Sequence, residues 1–211
     1  MCDLKQLVRD LIATKWHVGG RDTVEDRLVI EAINKRDLGP ADRNQKITHW
    51  LQFYKVLMFF PADRSAAIAD EIIGFADEQR AASLSLDKDR IVHEFDRLNA
   101  RISVVAKPNK DGKPPNLKSL TSKALWCCYP HDVPIFDGNA ASALGVISRL
   151  RHMVPTPKQA EYACFVEVWL QVYSEVESVI RPEDLADCPY KVRVLDRLLW
   201  YLGQRSFYDK G

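Results

Sequence analysis

Every long segment of this 211-residue chain repeats its apolar residues at intervals of three and four, and none alternates them. That period places them on one face of an α-helix, whereas a half-buried strand needs a period of two. Leu4, Leu7, Val8, Leu11 and Ile12 predict a helix over 3–15. Val24, Leu28, Ala32 and Ile33 predict the next, with Thr23 and Asp26 as a capping pair and Gly39-Pro40 as its break. Ile47 to Phe60 is apolar nearly all round, which predicts a central, buried helix stopped by Pro61. Asp63 and Asp87 are N-cap candidates, the second for a stripe of Ile91, Phe95, Leu98 and Ile102. Thr156-Pro157 starts a helix carrying Tyr162, Phe165, Val166, Trp169, Leu170 and Tyr173. The last helix runs from Lys191 to Leu202, with Gly203 as its C′ stop. Its Arg193, Asp196 and Trp200 share one face, which either seals a pocket or closes the core. The expected fold is all-α, with about nine or ten helices.

One stretch interrupts this pattern. Lys107 to Asn116 holds three prolines and a glycine, the composition of a loop. The chain is expected to be a single helical domain over 1–211, either undivided or built of two lobes, 1–106 and 117–211, joined by that loop. At 46% hydrophobic it can bury a real core. The five cysteines form an odd set that includes the adjacent pair Cys127-Cys128 and has no CxxC spacing. Reduced thiols, a cytoplasmic location and no metal site are the expectation. No run approaches the roughly 18 apolar residues of a membrane helix. The N-terminus MCDLKQLVRD lacks the apolar core of a signal peptide. No cofactor motif stands out.

A net charge of +1 excludes a strongly basic surface overall, but the charge is uneven. From Arg101 to Lys123 the local net is +5, through Arg101, Lys107, Lys110, Lys113, Lys118 and Lys123 against Asp111. Lys107, Lys110, Lys113 and Lys118 therefore either form a solvated loop or contact a phosphate backbone.

That basic run leads into Leu117–Leu144, LKSLTSKALWCCYPHDVPIFDGNAASAL, where the chemistry concentrates. Asp137 follows an extended Val133-Pro134-Ile135-Phe136 and opens a helix, so its carboxylate is the natural N-cap. Backbone N–H bonds would keep it ionised, and a fixed carboxylate can stabilise a cation beside it. Lys123 keeps apolar company in Leu120, Ala124, Leu125 and Trp126. Pointing inward, its amine would be desolvated into a nucleophile; pointing outward, it is a helix-surface lysine. Trp126, Phe136, His131 and Asn139 are the candidate substrate-binding residues around the pair. Each also has a plain reading, as core, turn or helix start.

These residues resemble the helix-hairpin-helix DNA glycosylases, most nearly the 8-oxoguanine glycosylase branch. In that family a hairpin of the form Leu-Pro-Gly-Val-Gly-x-Lys opens a helix, and a Val-Pro-Val-Asp segment delivers an aspartate to the next. Leu117-Lys118-Ser119-Leu120-Thr121-Ser122-Lys123 occupies the first position and Val133-Pro134-Ile135-Phe136-Asp137 the second. The resemblance spans about 30 residues. It implies that Lys123 attacks the sugar C1′ after the base is flipped out, and that Asp137 stabilises the oxocarbenium-like sugar. It also implies a nucleic-acid or nucleotide partner and, through diverged members that look like components of bacterial anti-phage operons, an operon-encoded protein partner. The sequence differs in lacking the hairpin glycines, replaced by Ser119 and by Thr121 or Ser122, and in its short Lys-to-Asp interval. Three function classes follow: a glycosylase/lyase-like enzyme, a catalytically silent binding module on the same fold, and a helical scaffold without a site.

Overall fold

The apolar stripes become helices, and among the described residues there is no strand. The computed structural model describes residues 3–13, 21–35, 37–58, 60–78, 83–106, 117–152, 161–185 and 189–208. In chain order the helices are α1 (Leu4–Ala13), α2 (Arg21–Asn34), α3 (Pro40–Phe53), α4 (Ala62–Glu78), α5 (Lys88–Val105), α6 (Lys118–Cys128), α7 (Gly138–Leu150), α8 (Tyr162–Val176), a 3-10 turn (Glu177–Val179), α9 (Pro182–Leu185) and α10 (Lys191–Tyr208). The loop 107–116, with Lys107, Lys110 and Lys113, lies outside the described residues, as do Thr156-Pro157, Cys2 and Cys188. The other three cysteines are free thiols. No described helix is long and apolar enough to cross a membrane.

Helices adjacent in sequence pack on one another from α2 through α6. α6 also returns to α2, while α5 reaches α8 and α1 docks on α8. α7 and α10 form the most extensive pairing. The buried apolar residues of all these helices join in one cluster, with Trp50, Trp126 and Trp169 wholly enclosed. α5 follows the sequence closely. Asp87 caps it by accepting from the Arg90 amide, and Ile91, Phe95, Leu98 and Ile102 are its buried stripe. Arg43 of α3 ties α2 in place by donating to the Ala32 and Ile33 carbonyls while pairing with Asp77 of α4. Those carbonyls belong to the last turn of α2, which has no amide partners of its own for them.

Several local expectations are corrected. Thr23 and Asp26 lie inside α2, not at its cap, and both are buried. Their inward polar face turns the helix so that Val24 and Leu28 are exposed, and Val29, Ile30, Ala32 and Ile33 form the core side. Ile47–Phe60 is not one helix. α3 starts at Pro40 and ends at Phe53 in a Schellman turn, with Val56 N–H donating to Leu51 O and Lys55 N–H to Gln52 O. Lys55 takes the left-handed conformation, φ 57°, that glycine usually fills there. Asp63 lies in the first turn of α4, because Pro61 supplies the first accepting carbonyl, to Ser65 N–H.

Gly203 does not stop α10, which continues to Tyr208. A Cβ at Gly203 would stand 2.0 Å from the Asn139 carbonyl oxygen. The glycine is there because α10 crosses the start of α7 backbone to backbone. On the same helix Val192 to Leu199 are all buried, Arg193, Asp196 and Arg197 included, while Trp200 is exposed. The predicted shared face therefore splits, with two charges inside and the tryptophan outside.

Candidate functional site

α6 carries no polar face to speak of: Leu120 through Cys127 are all buried, Lys123 among them. The Lys123 side chain is inward, with the residue only 5% exposed, and its Nζ donates to Ser119 Oγ one turn back at 2.7 Å. Burial lowers its amine to about 8. The Asp137 charge opposes that shift, Arg193 adds to it, and Asp196 and Asp26 oppose it more weakly. A lysine titrating near 8 keeps roughly a tenth of its molecules neutral at pH 7. That is the form with a lone pair to give.

After α6 the chain turns at Tyr129–Asp132 and runs extended and buried through Val133–Phe136. It meets α7 at Asp137, the N-cap, whose Oδ1 accepts from the Asn139 amide at 2.8 Å. With no neighbouring strand, the extended segment takes its partners from helix side chains. The Tyr162 hydroxyl donates to the Pro134 carbonyl at 3.1 Å. Asp196 Oδ2 accepts from Ile135 N–H at 3.0 Å, and Ser122 Oγ accepts from Phe136 N–H at 3.0 Å.

A second set of buried charges lies alongside. Asp26 Oδ1 accepts from Trp50 Nε1 and the Tyr54 hydroxyl, and Oδ2 accepts from Arg193 Nε and Arg197 Nη2. Burial pushes this carboxyl up, but the two arginines and their hydrogen bonds reverse that, leaving it below the ordinary value. Arg193 sits over Trp126 and Tyr54 and donates to the Tyr54 hydroxyl. Asp196 behaves differently. Burial lifts it to about 7, against Arg193, its two N–H donors and Lys123. Beside Asp26 a cavity of about 390 Å³ is lined by Thr23, Arg27, Ile30, Asn34 and Tyr190 among others.

The structure thus brings Lys123 within electrostatic reach of Asp137. The surrounding candidates disperse. Trp126 is wholly enclosed, stacked on Trp50 and edge-on to Tyr190. Phe136 is buried against Phe165, with Lys118 Nζ 5.5 Å from its ring centre at the start of α6. His131 is exposed beyond the other end of that helix, near Tyr190. Asn139 is half-buried and gives its amide to Asp137. Arg101, counted in the basic run, is tied to Glu71 and Glu78 on α4. No group of His, Cys, Asp and Glu fit to hold a metal occurs among the described residues.

Sequence reasoning passed over Arg197, read Asp26 as part of a cap and Ser119 and Ser122 as hairpin positions, and placed Tyr162 and Trp169 only in an apolar stripe. The available signal was in α10: Val-Arg-Val-Leu-Asp-Arg-Leu-Leu has no face free of apolar residues, so its charges must find buried partners. No protein-family model, no curated protein and no solved structure matches this chain.

Proposed function

We propose that this protein is a DNA glycosylase/lyase-like enzyme of helix-hairpin-helix type, cleaving the N-glycosidic bond of a nucleobase in the cytoplasm. One observation carries the reading: a buried, partly neutral lysine amine on the helix that precedes an aspartate N-cap. In this scheme the Lys123 lone pair attacks the sugar C1′, and the base leaves with the bonding electrons and a proton. The attacking nitrogen supplies that proton, and its second goes to the ring oxygen, which takes the C1′–O4′ bonding electrons as the ring opens, leaving an imine at C1′. Asp137 stabilises the positive charge that develops on the sugar. Lys118, with Lys107, Lys110 and Lys113, supplies the contacts to the nucleic-acid backbone. An operon-encoded protein partner belongs to the same reading.

Borohydride trapping tests it. The wild type should form a covalent adduct with a duplex, single strand or nucleotide carrying the right base, and Lys123→Gln should not. Asp137→Asn still caps the helix, so stability should fall by no more than about 1 kcal/mol. Base release should fall by a hundredfold or more once that charge is lost, as for other preorganised electrostatic groups. Adduct formation undiminished in Lys123→Gln removes the lysine from the mechanism.

A second reading, a catalytically silent nucleic-acid or nucleotide-binding module, draws on a different observation. Lys123 is 95% covered, so a sugar reaches it only after the surrounding helices shift. Salt-dependent binding to nucleic acid without an adduct on any substrate favours it.

A further inference from the structure

The peptide groups just ahead of Asp137 are each held by a side chain from a different helix: Tyr162 of α8 at Pro134, Asp196 of α10 at Ile135, and Ser122 of α6 at Phe136. Of the three holders only Asp196 changes charge in the neutral range, and its second carboxylate oxygen accepts from Trp169 Nε1 at 2.9 Å. It holds Ile135, two residues before Asp137, and its charge acts on the Lys123 amine. The groups that act on its charge are Arg193 on its own helix, Lys123 on α6 and Tyr162 on α8.

We propose that Asp196 is a positioning residue for the Lys123–Asp137 pair: its bond to Ile135 N–H fixes the segment that presents Asp137. This deepens the glycosylase reading and rests on it for its functional meaning. The physical consequence is a link between two steps. A charged Asp196 accepts both N–H groups and holds the segment. A protonated Asp196 carries a hydroxyl that must find an acceptor where two donors already point, so one of those bonds weakens. Geometry at Asp137 and charge at Lys123 then change together.

The test uses amide exchange and NMR beside the trapping assay. In Asp196→Asn, protection of the Ile135 amide should fall at least tenfold, because the amide nitrogen offers a donor where an acceptor stood. The Lys123 amine should titrate lower than in the wild type, since a negative neighbour is gone. Adduct formation should slow at least tenfold with substrate affinity unchanged. The unmodified protein supplies a measurement that needs no variant to fold: the Ile135 amide and Trp169 indole protons should shift together with one midpoint, near 7. Co-titration of the two protons, with altered exchange and lysine titration in Asp196→Asn but no adduct in the wild type, supports the positioning role and overturns the glycosylase reading. Two protons that do not share a midpoint, or an Asp196→Asn protein with Ile135 protection and Lys123 titration unchanged, overturn the proposal.

Discussion

Arg193 and Lys123 are buried to almost the same degree, 6% and 5% exposed, yet burial leaves them in opposite electrostatic states. Arg193 is driven well above its ordinary value, because Asp26, Tyr54 and Asp196 outweigh its desolvation. Lys123 is driven down to about 8, because desolvation outweighs Asp137 and its other partners. The difference is hydrogen bonding. Asp26 meets Arg193 and Arg197 directly and is further filled by Trp50 and Tyr54. The Lys123 amine has a neutral hydroxyl, Ser119 Oγ, as its described hydrogen-bond acceptor, with carboxylates acting only from farther off. The Asp26 carboxylate, filled by four donors, joins α2, α3 and α10 to one another. An under-neutralised lysine next to it costs stability and gains a lone pair, the pattern expected of a group tuned for chemistry.

The largest effect should come from breaking the Asp26 side. Asp26→Ala strands two buried guanidinium groups and should cost about 3–5 kcal/mol in chemical denaturation. A loss below about 1 kcal/mol would mean the cluster is wet and weakly coupled, which dissolves the contrast.

The lysine side should show itself through pH. The unfolded chain holds the Lys123 proton to about 10.5, whereas the folded chain releases it near 8. Between those values the unfolded state binds more protons, so the lysine's contribution makes stability rise with pH, by roughly 3 kcal/mol across the window. Denaturation midpoints of wild type and Lys123→Met, compared from pH 7 to 10.5, should converge in the wild type's favour as pH rises. A constant difference contradicts a depressed amine.

Gly203→Ala should cost about 1–3 kcal/mol by forcing α10 off the start of α7. Because Asn139 and Asp137 sit at that contact, the variant also sharpens the comparison: it should disturb the Lys123 titration and leave the Asp26 cluster intact, which can be read from the Trp50 indole proton. At the small end, Lys55→Gly relieves a left-handed lysine just after Tyr54, on the edge of the Asp26 cluster, and should stabilise the protein by up to about 1 kcal/mol in thermal unfolding, without moving the Lys123 titration.

Much of the architecture was legible because helical periodicity is a local signal. The α5 stripe and its Asp87 cap, and the Asp137 cap with its extended approach, depend on residues close in sequence. What escaped reading depends on distant partners. Asp26 looks like a cap residue beside Thr23; its inward partners are Trp50, Tyr54, Arg193 and Arg197, the arginines 167 and 171 positions away. Gly203 looks like a helix stop; only the Asn139 backbone across the α7–α10 contact explains it. Lys55 hides a helix end because the left-handed position carries no glycine. The site divides the same way. Lys123 and Asp137 stand out in one short stretch, whereas Ser122, Tyr162 and Asp196, which hold the segment between them, come from three different helices, α6, α8 and α10.

The most direct test of the contrast is the ionisation of Lys123 itself, followed by NMR of isotope-labelled lysine side chains, with Lys123→Gln assigning the signal. One lysine should titrate near 8, apart from the others. A Lys123 signal that titrates with the ordinary lysines near 10.5 contradicts it.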